Sequence, residues 1–204
     1  VIVNRSNSHP PAAADLLLTG AAGFVGCHVL FSWLRTRPHS RACCIVRGSS
    51  ARARLLAAMR EAALDAGEPF EPDGELAQRV TVVSADLLAL GQREQDALEA
   101  WASKASAIEV VHCAADLSFA SEDRERVWQS NVVATERLLG VVTRLARVRA
   151  LNQVTTAYVS GTRCGVVHES DESRPQSFNN VYEESKWETE RIVRRTLGAA
   201  GVPW

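Results

Sequence analysis

The sequence predicts an α/β fold built on a doubly wound parallel sheet, and three observations predict it. Short apolar runs alternate with helical patterns from Asp15 to Leu197, the order that gives parallel strands with right-handed crossovers. A glycine-rich turn, Gly20-Ala21-Ala22-Gly23-Phe24-Val25-Gly26, joins the first apolar run to the first helical pattern. The chemically pointed residues Gly20, Arg47, Asp86, Ala114 and Thr156 all fall just past the ends of expected strands, where open parallel sheets hold their ligands.

The elements follow in order. Val1–Ala14, with its Pro-Pro pair, reads as a linker or N-terminal arm, and residues 15–204 as one domain. Strand one is Asp15–Thr19 and the helix after the glycine turn is Phe24–Arg35. Ala42-Cys43-Cys44-Ile45-Val46 is a continuous apolar run of the kind buried on both faces of a parallel sheet. Ala51–Ala66 places Leu55, Leu56, Met59, Ala63 and Leu64 on one helical face. Strand three is Val80–Val83. A helix over Gln92–Lys104 leads to strand four, Glu109–Ala114. One long helix is expected over Glu125–Arg147, then strand five over Ala150–Val154. A polar loop spans Gly161–Asn180, and a last helix runs Tyr182–Leu197. Gly201-Val202-Pro203-Trp204 reads as the entry to a sixth strand, where the chain stops. With no initiating methionine, the chain reads as a part of something longer.

Composition excludes several classes. A net charge of −1 offers no electrostatic footing for nucleic acid. No apolar run is long enough to span a membrane, and no signal peptide is visible. Cys27, Cys43, Cys44, Cys113 and Cys164 are odd in number and lack C-x-x-C spacing, which reads as free thiols in a reducing cytoplasm. Five scattered histidines suggest no metal site.

Two stretches carry chemistry. In the glycine turn, Gly20 permits a tight turn off the strand, and Gly23 lets a pyrophosphate approach the backbone. Gly26 lets the helix lie close, and that helix start offers unpaired N–H groups to phosphate. In the second stretch, Tyr182-Glu183-Glu184-Ser185-Lys186, the tyrosine and lysine share a helix face at i and i+4. The ammonium can lower the phenol's pKa and donate to ribose hydroxyls, and the phenol can protonate a carbonyl oxygen as hydride reaches the carbon. With only two tyrosines and two lysines in the chain, a chance pairing is improbable. Thr156 at the end of strand five can bond the same oxygen, with Thr155 the alternative. Asn131 can interrupt its helix and hold a relay water. After strand two, the position where NAD enzymes place an acid holds Arg47, with Arg52 and Arg54 on the helix behind it. An arginine fork suits a 2′-phosphate, so NADPH is the expected cofactor.

These motifs resemble the extended short-chain dehydrogenase/reductase family, and within it the thioester-reductase branch. That branch comprises terminal reductases of nonribosomal peptide and polyketide synthases, carboxylic acid reductases and fatty acyl reductases. The resemblance covers Leu16–Trp204. It rests on Thr19-Gly20-Ala21-Ala22-Gly23-Phe24-Val25-Gly26, Val46-Arg47-Gly48, Ala85-Asp86-Leu87, Val111-His112-Cys113-Ala114-Ala115, Asn131-Val132 with Thr135, Thr155-Thr156-Ala157-Tyr158-Val159 and Tyr182-Glu183-Glu184-Ser185-Lys186-Trp187. It implies a catalytic set of Thr156, Tyr182 and Lys186. It also implies that Asp86 and Leu87 lie near adenine and that Ala114 and Ala115 line the nicotinamide side. The cofactor-binding set is then Gly20, Ala22, Gly23, Phe24, Val25, Gly26, Arg47, Arg54, Asp86, Leu87, Ala114, Ala115 and Asn131, with Tyr182 and Lys186. The implied activity is NADPH-dependent reduction of an acyl or peptidyl thioester on a carrier protein's phosphopantetheine, releasing aldehyde or alcohol. Ala85 stands where the family usually has glycine, and the family's C-terminal substrate part is absent from the 204 residues. Two alternatives are a nucleotide-sugar epimerase or dehydratase, against which Arg47 argues, and a non-catalytic NADP(H)-binding domain, against which the Tyr–Lys pair argues.

Overall fold

A computed structural model describes residues 14–171 and 173–204, so the arm expected over 1–14 lies outside the described residues except for Ala14, which is buried. Five strands form one parallel sheet: β1 (Asp15–Thr19), β2 (Ala42–Val46), β3 (Val80–Ser84), β4 (Ile108–His112) and β5 (Val148–Gln153). The spatial order is β3-β2-β1-β4-β5, with Leu17 paired to Cys43 on one side and Val110 on the other. The order reverses between β1 and β4, which opens a crevice at their carboxyl ends.

Alternation along the strands divides the core into two layers. Leu16 and Leu18 of β1, with Ala42, Cys44 and Val46 of β2, pack on α1 (Phe24–Thr36) and α2 (Ala51–Asp65). Leu17, Cys43 and Ile45 face the opposite way, as period-two geometry requires. They meet α4 (Gln92–Ala102), α6 (Ala134–Val142) and α7 (Val181–Ala200), the one-turn α3 (Glu75–Gln78) preceding β3. A strand buried on both faces is apolar along most of its length, so β2 reads as an unbroken run and β1 as Leu16-Leu17-Leu18 between the buried Asp15 and Thr19.

Four expectations are corrected. The long helix is α5 (Arg124–Trp128), a π-helical turn over Gln129–Val133 and then α6, ending at Val142. Strand four begins and ends earlier than expected, because past His112 the Ala114 N–H turns to the Thr19 hydroxyl. Strand five runs Val148–Gln153. Among the described residues there is no sixth strand, although the Pro203 carbonyl accepts from Leu151 N–H at 2.9 Å along the outer edge of β5.

Candidate active site

A cleft of about 580 Å³ occupies the crevice, lined by residues that follow β1, β2, β3 and β4. Its floor is the glycine turn. Gly20 has φ +70°, and a Cβ there would stand 2.6 Å from Ala114 N, so both the left-handed conformation and the close approach demand glycine. A Cβ on Gly26 would fall 2.1 Å from the Gly20 carbonyl oxygen, so this glycine seats α1 on the turn itself. At Gly23 the same test gives 3.3 Å, a tighter fit than usual but no collision. Gly23 is also the residue from which α1 starts, with no side-chain cap and no acid in the first turn. The first N–H groups of α1 are therefore unanswered by side chains and electropositive.

Of the expected cofactor set, Gly20, Ala22, Gly23, Arg47, Arg54, Asp86, Leu87, Ala114 and Ala115 line this cleft. Asp86 caps its turn by accepting from Leu88 N–H at 2.9 Å. Arg47 reaches to 3.9 Å from Asp86 and stays largely exposed. Arg54 donates to the Arg47 carbonyl, but Arg52 turns away to the Val80 carbonyl and adds nothing to the fork. The side chains of Phe24 and Val25 are exposed and do not line the cleft. Only their backbone faces that way, because α1 points its N-terminus, not its side chains, at the turn. Gly26 is buried behind the turn.

Asn131 is 2% exposed and lies behind the cleft wall. Its Oδ1 accepts from Asp116 N–H at 2.7 Å, and its Nδ2 donates to the Asp116 carbonyl and to Ser185 Oγ. The helix is interrupted there as expected, and the protein takes both Nδ2 hydrogens and one lone pair of Oδ1. It staples the loop after β4 to α7.

A second buried system runs from the glycine turn. Ala114 N–H donates to Thr19 Oγ, Thr19 bonds His112 Nδ1 at 2.6 Å, and His112 Nε2 bonds Thr135 Oγ at 2.9 Å. Thr135 donates to the Asn131 carbonyl, four residues back within the π-helical turn. With Thr135 committed as donor, His112 must carry its proton on Nε2 and accept from Thr19 on Nδ1. Burial, with the Lys186 charge secondary, pulls His112 down to about 3. It is a neutral structural link. Residues 112 and 135 fall in the quoted motifs, but spacing gives no sign of their bond.

The Tyr182–Lys186 pair lies on α7, which Asn180 caps by accepting from Glu183 N–H at 3.0 Å. Lys186 is 4% exposed and donates from Nζ to the Val154 carbonyl at 2.7 Å, just past β5. One of its three donors is used there, leaving two. Burial lowers Lys186 to about 8 and raises Tyr182 above its ordinary value. The expected depression of the phenol by the ammonium is therefore outweighed by desolvation of the tyrosine. Thr155 gives its hydroxyl to Glu190. Thr156 Oγ accepts from Tyr158 N–H and keeps its own hydrogen to donate, which separates the two candidates. Thr156, Tyr182 and Lys186 do not line the cleft; Tyr182 is covered by Phe119, ring centroids 5.4 Å apart. Sequence reasoning missed Phe119 and the cleft residues Asp116 and Arg126, an ion pair between the loop after β4 and α5. Nothing in their local pattern marks them.

The cleft fits a dinucleotide: a turn in which Gly20 and Gly26 cannot carry a Cβ, an uncapped helix start, and two arginines at the far end. A family model described as male sterility protein, an NAD-binding domain, matches residues 18–204. The chain is 30% identical over 158 residues to fatty acyl-CoA reductase 1 of Xenopus laevis, covering 73% of this chain and 29% of that protein. It is 28% identical over 206 residues to the hybrid PKS-NRPS synthetase pvhA of Talaromyces variabilis, 98% of this chain and 4% of that one. Among solved structures, the terminal R domain from the myxalamid PKS-NRPS biosynthetic pathway superposes with a TM-score of 0.73 at 28% identity, covering 95% of this chain and 48% of that one. The chain thus spans under a third of the length of these two protein relatives.

Proposed function

The chain belongs to the male sterility protein family of extended short-chain dehydrogenase/reductases, and from that premise we propose that it carries the machinery of an NADPH-dependent reductase. Its substrates would be acyl or peptidyl thioesters on a carrier protein's phosphopantetheine, and it would release aldehyde or alcohol. The observation that carries the reading is the meeting of two parts at one sheet edge. A glycine-floored cleft with Arg47 and Arg54 at its outer end adjoins a buried Tyr182–Lys186 pair on α7. Likeness to the terminal R domain over 95% of the chain supports the thioester as substrate.

Bound in the cleft, the nicotinamide cofactor would supply a hydride to the thioester carbonyl carbon. The first-turn N–H groups of α1 would bind pyrophosphate. Arg47 and Arg54 would hold the 2′-phosphate, with Asp86 and Leu87 against adenine and Ala114 and Ala115 along the nicotinamide side. The two remaining Lys186 donors would take the ribose hydroxyls. Tyr182, kept protonated by burial, would donate its proton to the carbonyl oxygen while Thr156 donates a hydrogen bond to it. When the C–S bond breaks, the pantetheine sulfur departs and the aldehyde remains. A second round would give the alcohol. The free cysteines fit a cytoplasmic setting, and no helix among the described residues is long and apolar enough to cross a membrane.

The test uses the native polypeptide that carries this chain, an acyl-pantetheine thioester and NADPH, with cofactor oxidation followed at the same time as aldehyde and free thiol. Stoichiometric thiol and aldehyde support the reading. Cofactor binding without thiol release over many hours defeats it.

A further inference from the structure

A second cavity, about 350 Å³, opens on the far side of the loop after β4, at the N-terminal end of α7. The loop separates it from the cofactor cleft: Leu117 lines the cleft, and Phe119 lines the second cavity while packing on Tyr182. Val181 and Glu184, which flank Tyr182 on α7, also line it. A carbonyl presented to Tyr182 therefore has this cavity beside it.

Its walls combine apolar surface from Phe119, Phe178 and Val181 with the charged groups of Arg124, Arg174 and Glu184. Arg124 and Arg174 each donate to one oxygen of Glu184, at 2.8 and 3.0 Å. Arg174 also lies over the Phe178 and Trp187 rings, 5.5 and 4.9 Å from their centroids, which holds its fork in place. Each guanidinium has five N–H donors, and among the described residues each gives one to Glu184. Both arginines stay more than half exposed, so donors remain for an incoming group. Glu183 adds a second carboxylate nearby, but its oxygens take the Asn179 and Asn180 amides.

A saturated chain placed here could meet Phe119, Phe178 and Val181 but would leave the spare donors of two guanidiniums unanswered. Amide carbonyls or a carboxylate would accept what the arginines offer. We propose that this cavity is an acyl-side subsite that selects thioesters whose acyl group bears amide or carboxylate acceptors, as a peptidyl group does, over plain fatty acyl thioesters. The inference rests on the thioester-reductase reading and sharpens it, since fatty acyl and peptidyl substrates are both represented among the relatives. The pantetheine arm also has amides, so the test holds the arm constant and varies only the acyl group.

The experiment compares a dipeptidyl-pantetheine with an octanoyl-pantetheine thioester in the native polypeptide with NADPH, measuring kcat and KM for each. The wild type should favour the dipeptidyl substrate by at least about tenfold in kcat/KM, the scale of hydrogen bonds to charged groups. In Arg124→Gln/Arg174→Gln that ratio should fall toward one, mainly through KM, and Arg174→Lys should fall between. Thermal melting and cofactor titration check that the variants stay folded. A wild type that treats both substrates alike or prefers octanoyl overturns the subsite. So does a double variant that slows both equally, which would assign the cavity to the arm. If neither thioester is reduced, the reductase reading falls and the subsite falls with it.

Discussion

The cofactor cleft and the second cavity lie on either side of one loop but are built from different material. The cleft is made by main chain at four strand ends: a glycine turn, an uncapped helix start, and carbonyls and amides fixed by the sheet register. The cavity is made by long side chains, two arginines gathered on one carboxylate and two phenylalanines, on a short helix, a loop and the start of α7. Main-chain sites tolerate little change and suit a ligand that never varies. Side-chain sites can be rewritten by single substitutions and suit the part of the substrate that differs among relatives.

The largest effect expected breaks turnover and leaves the cleft alone. Tyr182→Phe should lower kcat by about 10²–10⁴-fold, the usual weight of general acid catalysis, with cofactor affinity little changed by fluorescence titration. Near-normal turnover would remove Tyr182 from the chemistry.

Acid should break the contrast, because both regions hang on the same buried link. His112 is held near 3 in the fold against about 6.5 in an unfolded chain. As pH falls from about 6.5 to about 3 the unfolded chain takes a proton that the fold refuses, so stability falls through that window and is flat above it. The loss attributable to this group is on the order of 4 kcal/mol. Urea midpoints across pH measure it, and His112→Gln should flatten the slope.

Cofactor choice tests the outer end of the cleft alone. Arg47→Ala should narrow the NADPH-over-NADH preference by about 10–100-fold, from hydrogen bonds to charge worth about 1.5–3 kcal/mol, without shifting the melting temperature. Equal affinities already in the wild type would refute the arginine's role.

The smallest effect separates two glycines. Gly26→Ala forces backbone against backbone and should cost about 1–3 kcal/mol. Gly23→Ala, whose nearest contact is 3.3 Å, should cost under about 1 kcal/mol and act mainly on cofactor affinity. Chemical denaturation of the pair distinguishes them.

How far the molecule could be read from its residues follows the same division. β1 and β2 were legible because burial on both faces fills β2 and the middle of β1 with apolar side chains, leaving only Asp15 and Thr19 polar at the ends of β1. The glycine turn and the Tyr182–Lys186 spacing were legible because each is local. The break in the long helix was legible at Asn131, but the partners that accompany it were not, since Asp116 and Ser185 lie 15 and 54 residues away. Arg124 and Arg174 are separated by 50 positions in irregular surroundings, and only Glu184 gathers them. At Phe24 and Val25 the helix presents backbone to the cleft, while its own side chains radiate outward.

The hydrogen bonds from Ala114 to Asn131 have one direction, and that direction traps a hydrogen. The series begins at an amide N–H and ends at a carbonyl oxygen, and a carbonyl has no hydrogen to send back. Reversing the two hydroxyls would leave the last acceptor facing an oxygen lone pair and the first amide facing a hydrogen. The series therefore cannot run the other way, and no solvent molecule is needed to complete it. The hydrogen on His112 Nε2 should then leave for deuterium only when β1, β4 and α6 part. Its exchange in D₂O becomes a clock for the opening of the whole sheet, read from one imidazole resonance.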